Sequence, residues 1–557
     1  MNMMKTQFQI QTVIETDILI VGSGIAGLSA VKQASEQHLR SVLITKNKIA
    51  GGASFFPLKA TLGIQVTGDE EDKVRFHEDI TRVGKGMNNP DVVENYLNES
   101  KQGIELLEGI GFQPWLRQDN RPACFAKYPR PIYLISEWAN AAKKAREILD
   151  HNALNRYYEQ ATLVKIIAPN NRVAGAVFQQ ETADGVEFIF CRCHAVILAT
   201  GGIASLYKNN LYPNDIVGSA HAIALDAGAC AINMEFIQFI PAFLAPKRKV
   251  LFGEHTLKYC TAVYDSNDQP LFSDMSEQAF RAMMDERSDY APFSVDFAAK
   301  RFDLTVMQAI QRGSNGVRLT FSPALYQDQS EFYRVYLDWL KQKIGVDLLQ
   351  DRAVIEPFAH SCNGGIEIDG NSESAVNGLF AIGEVSACIE GANRLGGNSV
   401  GGSLVFATRA VRRAKQYCQI ALSPLDVNEI EAELIKTFPQ PLKQEDEEKN
   451  LTASDIFSQV RETLALNANV YRNQQGLQQA LGVIEHHLRH YRVSQYGVEL
   501  YWSLRCAEML LQAMLARQES RGAHFRSDYP YESANVEKLQ LRLQRGKIKV
   551  TRLKSAF

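Results

Sequence analysis

Hydrophobic and polar positions change period along this chain, and the changes mark its elements. An apolar run, Ile18–Val21, drops into Gly22-Ser23-Gly24-Ile25-Ala26-Gly27 and then into a pattern of helical period. This predicts a buried strand, a tight turn and a helix start, with a second strand over residues 41–45. Helical periodicity returns over about 70–81, 91–109 and 139–149. Segments 162–167, 173–178 and 186–193 read as an antiparallel meander. Two further apolar runs end in glycines: Ala195-Val-Ile-Leu-Ala-Thr-Gly-Gly202, and Gly378-Leu-Phe-Ala-Ile-Gly-Glu384 with a glycine-rich helix start over 391–402 behind it. The stretch 53–63, which holds Pro57 and Lys59, predicts a buried loop. Between about 235 and 352 glycines thin out and aromatic and charged residues rise, which predicts an inserted lobe. Residues 420–530 are helical in period, and the basic tail 536–554 alternates as strands.

A chain of 557 residues is too long for one core, so roughly three or four domains are expected. A hydrophobic fraction of 45% and a charged fraction of 22% are ordinary for a soluble protein. The net charge of −3 gives no electrostatic case for nucleic acid or an anionic membrane surface. Nine scattered cysteines, with only a CxC at Cys191 and Cys193, indicate neither a disulfide framework nor a metal site. The opening residues lack a secretory apolar region, and no apolar run reaches the length of a membrane span. These features predict a soluble protein of a reducing compartment, the cytoplasm.

The turn after the first strand has the chemistry of a dinucleotide site. Gly22 lets the chain turn, Gly24 lets backbone amides approach a pyrophosphate, and Gly27 lets the helix sit close to its strand. Two other strand ends resemble it: Ala199-Thr200-Gly201-Gly202, and Gly383-Glu384. A second Gly-Gly strand end suits a cofactor longer than a mononucleotide. Glu384 can accept hydrogen bonds from a ribityl or ribose hydroxyl, and Asn398-Ser399-Val400, at a helix start, can offer donors to a carbonyl-rich ring. Thr45 and Lys46 end the second strand, where many dinucleotide folds carry an acid, and Gly51-Gly52-Ala53 follow. Together these residues predict FAD.

These motifs are where a family resemblance appears. GSGIAGLSA near the start, ATGG at 199–202, MEFIQF at 234–239, AHSCNGGIEID at 359–369, GLFAIGEVSACIEGANRLGGNSV at 378–400 and SRGAHFRSDYP at 520–530 resemble the succinate dehydrogenase, fumarate reductase and L-aspartate oxidase flavoproteins. The resemblance covers nearly the whole chain. It implies an α/β fold: a Rossmann-like FAD-binding domain over 1–234 and 353–415, an inserted α+β capping domain over 235–352, a helical C-terminal domain over 416–530 and a tail over 531–557. By length and the lack of a membrane segment the chain looks closer to the soluble aspartate oxidase branch. The resemblance also implies that His360 and Arg394 grip a substrate carboxylate beside the flavin.

Other family positions differ. Ile240 stands where relatives carry a histidine, Phe293 where they carry the arginine credited with proton transfer, and Pro57-Leu-Lys-Ala60 where they carry AQGG. Lys59, Glu254, His255 and Arg287 are the candidates for a displaced acid or base. Gly52-Ala53-Ser54 stands where covalently flavinylated relatives carry a histidine, so FAD is expected to be held without a covalent bond. Three readings stay open at this stage. One is an oxidase or dehydrogenase of a small carboxylate or amino acid, with altered substrate and proton-transfer residues. The others are a subunit passing electrons to an iron–sulfur partner, and a non-catalytic FAD-binding protein.

Overall fold

Five short parallel strands form the sheet that carries the glycine turns. They are β1 (Ile18–Val21), β2 (Ser41–Ile44), β3 (Asn155–Tyr158), β4 (Ala195–Leu198) and β5 (Leu379–Ala381), in the order β5-β4-β1-β2-β3. The computed structural model describes residues 8–56, 58–422, 425–439 and 451–555. Pro57 of the expected loop and residues 423–424 and 440–450 of the expected helical region lie outside these. Strands β1, β2, β4 and β5 are buried along their whole length. Burial on both faces is why they read as unbroken apolar runs rather than as alternation. The edge strand β3, Asn-Arg-Tyr-Tyr, carries no such run, and the sequence pattern passed over it. Helix α1 (Ile25–Glu36) follows β1 directly and packs against α2 (Asn398–Tyr417).

The meander forms as expected, from Ala161–Ile167, Gly175–Thr182 and Gly185–Arg192. An unpredicted strand, Ile10–Glu15, adds to it in parallel. Its alternation is half-buried against exposed, a weak contrast over six residues. The helix expected over 91–109 is split into Pro90–Gly103 and Glu105–Glu108. Gly103, a poor helix former, sits at the break against Leu404 of α2.

The inserted segment builds a four-stranded antiparallel sheet from Ile237–Ala245, Val354–Cys362, Val317–Phe321 and Cys260–Tyr264. It has its own apolar core, which includes Phe243, Phe302, Leu319 and Ile355 and is separate from the core around the central sheet. The strands by which the chain enters and leaves this lobe pair with each other. That pairing places Ile240 and His360 on neighbouring strands at the junction.

The C-terminal region is helical over Ala453–Asn467, Gln474–Arg489 and Val498–Ala516. The tail forms the hairpin Glu537–Gln544 and Lys547–Lys554, joined at Arg545-Gly546, both with positive φ as a tight hairpin turn requires. Buried charges fix this region to the rest. The Glu235 carboxylate accepts from Arg517 Nε at 2.8 Å, and Arg472 donates to the Glu235 carbonyl at 3.0 Å. Among the described residues no helix is long and apolar enough to cross a membrane.

Candidate active site

Strands β5, β4 and β1 are neighbours, so three turns far apart in sequence open onto one cavity of about 700 Å³. A cavity of this size outside the carboxyl ends of a parallel sheet is where such folds bind their ligands. Gly22 has φ of +107°, and a Cβ there would strike the Ala199 carbonyl. Helix α1 starts at Gly24, which supplies no capping side chain, and only the Ile25 amide meets a hydroxyl, that of Ser54 at 3.0 Å. Helix α2 starts at Gly397, likewise without a side-chain cap. Two uncapped helix starts therefore flank the cavity, each a site for an electron-rich group.

Gly22, Ser23, Gly24, Ile25 and Ala26 line the first turn; Thr45, Lys46, Gly51, Gly52 and Ala53 the wall beside it; Ala199, Thr200 and Gly201 the next; Gly383, Glu384, Ser399 and Val400 the far side. The Ser23 hydroxyl donates to Thr45 Oγ1 at 3.0 Å and accepts from the Ala50 amide at 3.2 Å. Lys46 Nζ donates to the Asp215 carbonyl at 2.8 Å, and burial pulls its ammonium down to about 8. A turn too tight for Cβ atoms, two open helix starts and a long cavity fit an extended dinucleotide with a polar ring. The residues present fit FAD.

Three residues expected to touch the cofactor do not line the cavity. Gly27 packs α1 against the Gly22 carbonyl, Gly202 leaves room for the Glu384 carboxyl, and the buried Asn398 side chain accepts from Gln65 Nε2 at 3.4 Å. Their work is packing. Glu384 faces the cavity, but it already accepts from the Tyr212 hydroxyl at 2.6 Å and the Cys362 amide at 3.0 Å. Burial raises its carboxyl to about 7.

At the lobe end, Arg394 and His360 come together. Arg394 follows Gly391-Ala-Asn393, a loop pinned from several sides. The Ala392 amide donates to Gly84 at 3.0 Å, Ala523 donates to the Ala392 carbonyl at 2.9 Å, and Asn393 bridges Gln238 and the Phe293 carbonyl. The SRGAHFRSDYP block thus acts at a distance, by holding this loop. Arg394 bonds to Ser399 Oγ, which in turn reaches the buried Glu390 carboxyl at 3.3 Å.

Arg394 also lies 3.3 Å from His360 Nε2. A guanidinium only donates, so Nε2 accepts and the imidazole proton sits on Nδ1. Burial, with Arg394 and Lys59 nearby, holds His360 well below its ordinary pKa, so the ring is neutral. His360 Nδ1 and Arg394 Nε are both buried without a partner among the described residues. Both residues line the cavity, so a guanidinium and a neutral imidazole border the space where an anion could bind.

The other candidates separate. Lys59 lines the cavity, donates to the Ala53 and Phe56 carbonyls at 2.9 and 2.6 Å, and lies 4.4 Å over the Trp138 ring. Burial pulls its ammonium down to about 7. Glu254 also lines the cavity, and burial raises its carboxyl to about 7 against the pull of Arg287. His255 lies beside it, pulled by burial down to about 3 and so neutral, with Nε2 unpartnered. Arg287 does not line the cavity. It is fully buried, with its guanidinium committed to Asp303, Glu254 and the Tyr290 carbonyl, and has no route to a substrate. Phe293 also points away, into the main core, while Ile240 does line the cavity. Of the two replaced family positions, only Ile240 therefore contributes an apolar side chain to the cavity wall. Sequence reasoning also missed Tyr212 and Glu390. Only Glu390, directly before the GANR block, had a positional signal.

The chain matches the family model described as FAD binding domain over residues 17–400, and that described as fumarate reductase flavoprotein C-term over residues 458–551. It is 27% identical over 539 residues to an uncharacterized FAD-dependent oxidoreductase of Methanocaldococcus jannaschii, covering 93% of this chain and 94% of that one. It is 26% identical over 556 residues to an L-aspartate oxidase of Vibrio cholerae, covering 93% and 97%. A solved structure of a variant of E. coli quinol fumarate reductase superposes with a TM-score of 0.78 over 98% of each chain, at 20% identity, a likeness of fold.

Proposed function

Because the chain belongs to the FAD-dependent succinate dehydrogenase, fumarate reductase and L-aspartate oxidase flavoprotein family, we propose that it oxidises a small carboxylic or amino acid, with a substrate end unlike that of its relatives. It is an FAD-dependent oxidoreductase. The observation that carries the reading is Arg394 and a neutral His360 in contact at the wall of the cavity, with no second histidine at position 240. Bound FAD supplies the acceptor for a hydride from the substrate carbon. Arg394 and His360 orient the carboxylate, and the lobe residues Glu254, His255 and Tyr290 line the same cavity. Ile240 gives a second carboxylate no partner, and an unpaired charge against an apolar wall costs several kcal/mol, in order of magnitude.

Lys59 is the base we assign. Its neutral amine can take the proton that leaves with the hydride, and it lines the same cavity as His360 and Arg394. A base with a pKa near 7 gives a rate that rises with pH through neutrality. In Lys59→Met this limb of the kcat/KM profile disappears and the rate falls about 100-fold, within the usual range for acid–base catalysis. Glu254→Gln, carried out beside it, leaves the limb in place. If the limb instead goes with Glu254, that carboxyl is the base.

The function itself is tested by anaerobic flavin bleaching with a panel of amino acids, monocarboxylates and dicarboxylates. A monocarboxylate or an amino acid other than aspartate is expected to bleach fastest; aspartate bleaching fastest would overturn the altered-substrate reading. Rapid reoxidation in air marks an oxidase. Slow reoxidation favours the second reading, a subunit serving an iron–sulfur partner. Residues 52–54 offer no histidine for attachment, so acid precipitation should release all the flavin into the supernatant. Yellow colour left in the pellet would refute non-covalent binding. Nine unbridged cysteines support a cytoplasmic, reducing location.

A further inference from the structure

The cavity that holds Arg394 and His360 also has a largely apolar path along its lobe side. Ile240 and Leu58 line it, as do Phe332, Tyr336 and Trp339 of the lobe helix Glu331–Trp339. Several of the polar groups among these residues are already engaged. The Tyr336 hydroxyl accepts from the Gly253 amide at 2.7 Å and donates to the Leu251 carbonyl at 3.2 Å, so the cavity meets only its ring. His255 is neutral and packed among aromatic rings, 4.2 Å from Phe332 and 5.1 Å from Tyr336 between centroids. Arg117 is held by Asp119 at 2.8 Å, and the Arg121 guanidinium lies 4.2 Å over the Phe332 ring.

Two large apolar side chains line the cavity yet remain exposed, Trp115 at 43% and Val335 at 44%. They belong to different elements, the short strand Trp115–Leu116 and the lobe helix. Both offer apolar surface at the cavity, and a ligand that covers it gains binding energy. A small acid held at Arg394 would leave this whole path hydrated.

We infer that the substrate is a monocarboxylic acid with an apolar aryl or alkyl body, its acid group at Arg394 and His360 and its body between the Trp115 strand and the Phe332–Trp339 face of the lobe. This rests on the carboxylate reading above and narrows its substrate class. The path selects by area: each buried methylene tightens binding about fourfold. Hydride and proton leave carbon atoms next to the carboxylate, so the body takes no part in the chemistry.

The test is binding to the oxidised holoenzyme, read by perturbation of the flavin absorbance and by calorimetry. Acetate, hexanoate, 3-phenylpropionate and succinate are the probes. Hexanoate and phenylpropionate are expected to bind at least about tenfold more tightly than acetate and succinate. In the double variant Trp115→Ala, Val335→Asp that preference shrinks about tenfold while acetate affinity holds. Equal affinities, or succinate binding tightest, would overturn the inference and turn attention to Arg121 as a second anion partner. A preference that survives the rim variant would overturn it too. The underlying reading fails separately, if Arg394→Met binds all four acids as the native protein does.

Discussion

Arg394→Met is expected to lower kcat/KM for the acid substrate by about 100-fold or more while FAD content stays full. Truncating one partner of a buried, charge-assisted hydrogen-bonded pair costs about 2–5 kcal/mol, or roughly 30- to 4,000-fold. Two effects add here. The carboxylate loses the Arg394 guanidinium, and His360 loses the donor that fixes its proton on Nδ1. A His360 free to take the other tautomer offers the carboxylate a lone pair. The loss falls on substrate binding and the rate of flavin bleaching. Arg394→Lys restores charge but not the fork, and should recover only part of the rate. Rapid-mixing anaerobic reduction, with flavin content measured alongside, checks this. Bleaching at the native rate in Arg394→Met would remove the guanidinium from the site.

The neighbour Glu390 sharpens that expectation. Its carboxyl is buried and raised by burial, with Arg394 as the largest opposing influence. Without the guanidinium it moves further up and is neutral over a wider pH range, so the variant's folding should suffer less than a trapped charge would cause. A carboxyl whose folded pKa is raised above its unfolded value binds more protons when folded. Stability then falls as pH rises from the unfolded pKa to the folded one. Arg394→Met should therefore show a steeper loss of stability with rising pH through the acidic range than the native protein.

The cofactor half of the molecule was legible in the sequence and the substrate half only partly. Buried parallel strands write themselves as apolar runs, and turns that approach a phosphate must be glycine. Gly22, Ala199-Thr-Gly-Gly202 and Gly383 could therefore be found before their adjacency in the sheet was known. The pattern could not say which glycines touch the ligand and which only let the chain pack. Gly27 and Gly202 look like their neighbours in sequence, yet one faces a carbonyl and the other a carboxyl. At the lobe end the signals come from single residues on separate elements, where no period exists. Phe293 stands at an arginine position, but its ring goes into the core, so the departure says what is missing and not what lines the wall. The Phe332, Val335, Tyr336 and Trp339 face reads as an ordinary amphipathic helix until the fold shows that it borders the cavity. Arg287 was a sound candidate on charge alone. Only its carboxylate partners, Asp303 and Glu254, show that it braces the lobe.

Gly27→Val should yield colourless protein that added FAD does not turn yellow. Gly27 does not line the cavity, so the expected effect is entirely one of shape. A Cβ at this position would overlap the Gly22 carbonyl, which is backbone and cannot swing aside. Relief requires α1 to lift from β1, or the Gly22 turn to move against Ala199. Gly22 itself, at φ of +107°, has no slack, because its own Cβ position is filled by the Ala199 carbonyl. Either shift withdraws the open amides at the start of α1 from the pyrophosphate, and those amides are what the turn exists to present. The helix also lifts its buried residues Ile25 and Leu28 from the sheet, so the thermal midpoint should drop as well. Gly482→Ala separates this from a general intolerance of glycine replacement. That glycine lies within helix Gln474–Arg489 with nothing near its Cβ position. Its replacement should keep the flavin and stabilise the protein by about 0.5–1 kcal/mol. Flavin absorbance and a thermal melt on the two variants decide the matter. A yellow Gly27→Val protein with an unchanged midpoint would mean that α1 does not press on the turn, and the dinucleotide cradle would have to be sought elsewhere.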